Sequence, residues 1–213
     1  MVSPDAERTM HTFLGVSEEV SVHEIHEHEI GAAEYVYIEG YLVTSPSARA
    51  AAIELKHTAE KHSVKTALTF SDPSMVEYFK ENVAEVVGTG VDLLFCNEQE
   101  AKLWAGNDDF EAACEYLKSH AIQFVITRGP RGARLFDGRD YIEIDGHNVD
   151  AVDTNGAGDM FAGAFLYGIT NGLDFETAGK LASFASATTV SSFGPRLPSA
   201  VHQEILDKLG LSS

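Results

Sequence analysis

The chain has 213 residues, 44% of them hydrophobic and 23% charged, the balance of a soluble globular protein long enough to bury a core. Fifteen Lys and Arg stand against 33 Asp and Glu, a formal net charge of −18, which sets nucleic-acid binding and anionic membranes aside. Two cysteines, Cys96 and Cys114, give neither a disulfide framework nor metal-ligand spacing; with no apolar run near membrane length, the expectation is a cytoplasmic protein.

Taken in order, residues 1–6 carry no helix start and no core pattern, and residues 8–14 alternate like a half-buried strand. A parallel or mixed sheet thus starts as if in its middle. Ser21 with Glu24 is a capping box that predicts a short helix through Ile30. Residues 35–38 read as a buried strand ended by Gly40, and Ser45-Pro46 opens an amphipathic helix to about His62. Strand 64–70 follows. Ser71-Asp72-Pro73 caps a helix over 75–87, which Gly88-Thr89-Gly90 stops. Strand 91–96 ends at Asn97, short helices follow over 98–104 and 110–119, and strand 123–127 runs into Gly129-Pro130-Arg131-Gly132. Residues 133–136 and 141–144, joined through Asp137-Gly138, predict a hairpin. An extended run over 148–152 leads to Asp153-Thr154-Asn155-Gly156-Ala157-Gly158-Asp159. Helices over 160–170, 175–192 and 200–209 close the chain.

Strands alternating with helices predict an α/β architecture, a mainly parallel sheet covered on both faces. Ligands in such sheets bind beyond the carboxyl ends of the strands. Three candidate stretches fall there: Asn97 to Glu100, Thr127 to Gly132, and Asp153 to Asp159. The last is the most suggestive. Its glycines let backbone approach a ligand, and the N–H groups of the new helix form an anion site. On those seven residues alone, an N-capped helix start after a Gly-rich turn reads equally well. A P-loop is excluded, because the one Gly-Lys pair, Gly179-Lys180, is followed by Leu181. A dinucleotide fingerprint is disfavoured by Phe161 where its third glycine belongs, and by Asp153 and Asp159 around the turn.

Together, Asn97-Glu98-Gln99-Glu100, Thr127-Arg128-Gly129-Pro130-Arg131-Gly132 and Asp153-Thr154-Asn155-Gly156-Ala157-Gly158-Asp159 resemble the motifs of the ribokinase-like (PfkB) sugar and nucleoside kinase family. Those motifs are Asn-x-x-Glu, Thr-x-Gly-x-x-Gly and Asp-Thr-x-Gly-Ala-Gly-Asp. Arg8-Thr9-Met10 and Phe193-Gly194-Pro195-Arg196 look most like the adenosine-kinase-like branch. The resemblance implies a three-layer α/β/α fold, with residues 1–213 as the C-terminal nucleotide-binding and catalytic part of a single kinase domain. The front segment of that family, with its Gly-Gly signature and β lid, has no counterpart here. A sheet without it exposes an edge open to a homodimer or another partner.

The same resemblance implies an ATP-dependent phosphotransferase acting on a hydroxyl of a nucleoside or sugar. Asp159 is then the base, and Gly156, Ala157 and Gly158 provide the N–H groups for the transferred phosphoryl. Thr127, Gly129 and Gly132 contact the nucleotide, Asn97 and Glu100 organise Mg²⁺ through water, and Asp153 orients the loop or helps hold a monovalent cation. Arg8 is a candidate phosphate contact. Two other classes stand beside it: a non-catalytic nucleotide-binding fragment or partner-dependent half-enzyme, and a dinucleotide-dependent oxidoreductase. His23, His26 and His28 lack the zincin spacing and read as a solvated acidic helix face. Phe184 and the Ala/Ser face of helix 175–192 read either as an adenine pocket wall or as helix–sheet packing.

Overall fold

The computed structural model describes residues 15–212; the strand expected over 8–14 and the candidate Arg8 lie outside them. Six strands form one sheet in the order β1 to β6, the three-layer α/β class that the alternation of elements predicts. β1 (Tyr35–Glu39), β2 (Lys65–Thr69) and β3 (Val91–Asn97) pair in parallel, with Ile38 opposite Leu68 and Leu68 opposite Leu94. β4 (Ala121–Thr127) follows, then β5 (Ala133–Phe136) and β6 (Tyr141–Ile144), joined by a turn in which the Asp140 carbonyl accepts the Asp137 N–H. β3 is a near-continuous apolar run because both faces of a parallel sheet are buried: its Leu93, Leu94, Phe95 and Cys96 are all inside.

The helices are α1 (Glu27–Ile30), α2 (Pro46–Lys61), α3 (Pro73–Tyr78), α4 (Lys80–Val87), α5 (Glu98–Ala105), α6 (Phe110–Leu117), α7 (Ala157–Thr170), α8 (Phe175–Val190) and α9 (Ser199–Lys208). Two predicted helices are broken. The capping box at Ser21 and Glu24 is formed, but it opens a 3₁₀ turn, Val22–Glu24, that ends at an extended Ile25 before α1. The helix expected over 75–87 begins at Pro73, with Asp72 capping Ser74 N–H, and kinks at Phe79 into α3 and α4. The extended run over 148–152 is not a strand. Its Val152 N–H and the next one, of Asp153, both go to the carbonyl of Val190 at the end of α8, so a helix terminus takes the donors a sheet would use. No helix among the described residues is long and apolar enough to cross a membrane.

Packing divides the chain into two compact units. Residues 15–126 with Phe136–Asp140 form one, and Thr127–Leu135 with residues 141–212 form the other. In the first, Val36 of β1 packs with Ile30, Ala59 and Val64, and the rings of Phe70 and Trp104 meet at a tilt, 5.0 Å between centroids. In the second, α7 and α8 approach closely because Gly168 faces Ala178, and a Cβ at Gly168 would come within 2.9 Å of it. A further apolar cluster, Leu181, Ala185 and Ile205, joins α8 to α9.

Candidate active site

Within the second unit, three segments distant in sequence line one cavity of about 500 Å³. The loop after β4 contributes Thr127, Gly129 and Gly132, the segment after β6 contributes Gly146 to Val149, and the start of α7 contributes Ala157 and Gly158. Ser183, Ser186, Ala187 and Val190 of α8 close the far wall. The structure thus brings together the second and third sequence motifs.

Each wall is shaped by backbone. The Arg128 N–H donates to the Gly132 carbonyl at 2.8 Å and the Gly132 N–H to the Gly129 carbonyl at 3.0 Å, which closes the β4 loop on itself. Gly132 sits at φ +83°, and a side chain there would overlap the Ile144 carbonyl and the Asp145–Gly146 backbone. Gly146 is the reciprocal case, with Pro130 backbone where its Cβ would be. Two glycines therefore let the β4 and β6 loops touch main chain to main chain. Gly146 belongs to no motif singled out in the sequence.

The turn before α7 is held from outside. Asp153 is 3% exposed; its Oδ1 accepts the Asn155 N–H at 3.0 Å and its Oδ2 the Gly194 N–H at 3.0 Å. One buried carboxylate thus ties the turn to the segment beyond α8, 41 residues on. Gly156 caps α7 in the left-handed region, φ +76°, and a Cβ there would run into Pro195. The Ala157 N–H reaches the Thr154 carbonyl at 3.3 Å. The Gly158 and Asp159 N–H groups stand in the first turn, where helix geometry offers no acceptor, and none is found among the described residues. Space around Gly158 is open.

Asp159 is exposed and turns to a different cavity, of about 630 Å³, shared with Tyr167, Arg196, His202 and Gln203. Consecutive residues of one helix turn, Gly158 and Asp159, therefore address two cavities of the second unit. Phe184 lines neither; it packs into the α8–α9 cluster and meets the His147 ring edge-on at 5.2 Å, which favours the packing reading of that side chain.

The first motif lies in the first unit and is self-contained. Asn97 caps α5 and accepts the Glu100 N–H at 2.8 Å; Glu100 answers by accepting the Asn97 N–H at 2.9 Å and its side-chain amide at 2.7 Å. This is a capping box, and it occupies both carboxylate oxygens. Glu100 is 3% exposed. Burial lifts its pKa to about 7, against the pull of the Asn97 N–H and with a further push from Asp72. The neighbouring Ser71, expected only as part of the Ser71-Asp72-Pro73 helix start, is held at φ +68°, and its hydroxyl accepts the Gly40 N–H at 2.8 Å and donates to Glu39 at 3.0 Å. Nothing in its local sequence marks a serine for positive φ. In the His-rich segment, Glu27 takes Lys61 at 2.5 Å and His62 at 2.8 Å, and no cluster of metal-ligating side chains is found among the described residues.

An α/β sheet with its strand-end loops converging on a glycine-walled cavity has its opening where such folds hold their ligands. The sequence carries it further: residues 1–201 match the pfkB family of carbohydrate kinases, and the chain belongs to that family. It is 29% identical over 189 residues to an adenosine kinase of Saccharomyces cerevisiae, covering 80% of this chain and 53% of that protein. A probable sugar kinase from Rhizobium etli CFN 42 superposes with a TM-score of 0.93 at 31% identity, over 99% of this chain and 64% of that one. The adenosine kinase of Sinorhizobium meliloti gives 0.92 at 30%, over 97% and 64%. The chain therefore spans about half the length of such curated relatives and under two thirds of these solved chains.

Proposed function

We propose that the chain carries the nucleotide-binding and phosphoryl-transfer machinery of an ATP-dependent kinase whose acceptor is a hydroxyl of a nucleoside or sugar. The observation that carries this reading is the cavity of the second unit, where Thr127, Gly129 and Gly132 meet the first turn of α7. Its volume suits a nucleotide, Gly129, Gly132, Gly146 and Gly158 leave stretches of its wall as bare backbone, and the Gly158 N–H, with no acceptor among the described residues, suits a phosphate oxygen.

In this reading the base and sugar lie against the β4 and β6 loops and the small α8 residues, with the terminal phosphates at Gly158. The acceptor hydroxyl loses its proton to Asp159 as its oxygen forms the new O–P bond, and the bond to the β-phosphate oxygen breaks to release ADP. A loose transition state asks the base only to receive the proton late. The N–H groups of Gly158 and Asp159 gain most as charge gathers on the transferred group, which is the differential stabilisation that catalysis requires. Asp153 keeps the turn in place. Mg²⁺, when bound, would offset phosphate charge and keep most of its own waters, and Asn97 and Glu100 are engaged with each other. Any part they take is through water.

A second reading is a half-enzyme completed by a partner. Assay of ATP-dependent phosphorylation of adenosine and of a sugar panel separates the two. We expect turnover by wild type, and Asp159→Asn to lower kcat on the order of 10²–10⁴-fold at unchanged ATP affinity. ATP binding with no turnover on any acceptor selects the half-enzyme. Undiminished turnover by Asp159→Asn removes Asp159 as the base.

A further inference from the structure

Helix α8 turns two serines toward the cavity, one helical turn apart, and each uses its hydroxyl on a backbone carbonyl of a facing segment. Ser183 Oγ donates to the Asp145 carbonyl at 3.0 Å, and Ser186 Oγ donates to the Ala157 carbonyl at 2.9 Å. The carbonyl of residue i and the N–H of residue i+1 belong to one planar trans peptide and point in opposite directions. A donor that fixes the carbonyl therefore fixes the N–H. The N–H groups in question are those of Gly146 and Gly158, both in the cavity wall.

The two cases differ. The Asp145–Gly146 peptide is already wedged by Pro130 and Gly132 main chain, so Ser183 adds to a restraint that sterics supply. The Ala157–Gly158 peptide has no such wedge: outside α7's own backbone nothing lies near a Cβ at Gly158, and its other restraint is the first turn of α7 itself. It lies between two glycines, and its N–H has no acceptor among the described residues. Ser186 is the side chain from a separate element that holds its carbonyl.

We propose that Ser186 is the positioning residue of the anion hole: its hydroxyl locks the Ala157–Gly158 peptide plane and polarises the Gly158 N–H toward an anion in the cavity. Identification of that anion as nucleotide phosphate rests on the kinase reading above, whereas the peptide restraint rests on geometry alone. Ser186 does not react; it acts through the backbone of another helix. Threonine keeps the hydroxyl and alanine removes it, so the two substitutions separate donation from packing.

The test has two readouts on the full chain. Amide NMR follows the Gly158 N–H in the unliganded protein, and calorimetry follows ATP and adenosine. In Ser186→Ala the Gly158 amide resonance shifts and its hydrogen exchange accelerates, ATP affinity falls about tenfold, the scale of one hydrogen bond, and adenosine affinity stays within about twofold. Ser186→Thr restores all three. Ser191→Ala, which removes an exposed hydroxyl bonded within α8 to Ala187, changes none. An unmoved Gly158 amide in Ser186→Ala overturns the proposal, as does equal weakening of ATP and adenosine, which is the mark of a packing role. Failure of wild type to bind ATP would instead remove the kinase reading, and the Gly158 resonance would still decide the restraint.

Discussion

The starts of α5 and α7 have similar ingredients and opposite construction. Both follow a loop or strand end, both carry an acidic residue in the first turn, and both belong to motifs of the same family. At α5 the partners lie three residues apart: Asn97 and Glu100 satisfy each other, and the end is closed. At α7 no side chain caps the helix. Asp153 reaches Gly194, Ser186 reaches Ala157, and Gly156 makes room for Pro195, so the turn is shaped by the chain some 30 to 40 residues later while its own N–H groups remain available. A helix end that satisfies itself has little left for a ligand. One held from a distance can keep its donors for an anion.

Substitutions at the two ends should break this contrast in different ways. The largest effect is expected at the glycine contacts that shape the α7 side. Gly156→Ala and Gly132→Ala each combine a positive φ with backbone already present at the Cβ position. Each should cost on the order of 3 kcal/mol, read as a drop in denaturation midpoint with loss of ATP binding. Wild-type stability in both would contradict these main-chain contacts. Asp153→Ala comes next. It leaves two N–H groups in a buried setting without their acceptor, a loss of about 2–3 kcal/mol, and it should weaken ATP more than Asn97→Ala does. Equal effects on ATP from the two would erase the distinction between the ends.

Glu100 gives a smaller, pH-dependent effect. Its pKa is raised from 4.5 to about 7, so between those values the folded chain holds a proton that the unfolded chain has released. Its contribution to stability is thus favourable at low pH and falls as pH rises through that window, with a slope of up to about 1.4 kcal/mol per pH unit. Glu100→Gln should flatten this part of the stability–pH curve, and an identical curve for wild type and variant would show that the carboxyl is ionised throughout. Smallest is Asn97→Ala, which removes a helix cap worth about 1 kcal/mol with no change in nucleotide affinity, measurable by denaturant titration beside ATP calorimetry.

What could be read in advance follows from the same contrast. The Pro46 and Asp72 helix starts and the β5–β6 hairpin are local, and short-range patterns reveal them; the Asn97 to Glu100 capping box is as local, though the resemblance puts those two residues at Mg²⁺. The Thr127 to Gly132 loop and the Asp153 to Asp159 turn were visible as glycine-rich segments, and their motifs marked them as candidates. Their convergence depends on contacts that sequence does not display: Gly146 against Pro130, Ser186 on the Ala157 carbonyl, Asp153 on the Gly194 N–H. The 148–152 segment, with Val149 and Val152, reads as an extended run into the glycine turn. Both valines are half in solvent, and the Val190 carbonyl captures the donors of residues 152 and 153, an outcome fixed by where α8 ends. Phe79 interrupts a helix that apolar periodicity alone would continue, and Ser71 takes a conformation that its type disfavours.

The most direct test of the central claim is hydrogen–deuterium exchange of the full chain with and without ATP. Slowed exchange in peptides covering residues 127–132, 145–149 and 154–161, with Glu98 to Ala105 of α5 unchanged by direct contact at Mg²⁺-free conditions, is the predicted result. Protection confined to other segments, or none at saturating ATP, would contradict the assignment of the glycine-walled cavity as the nucleotide site.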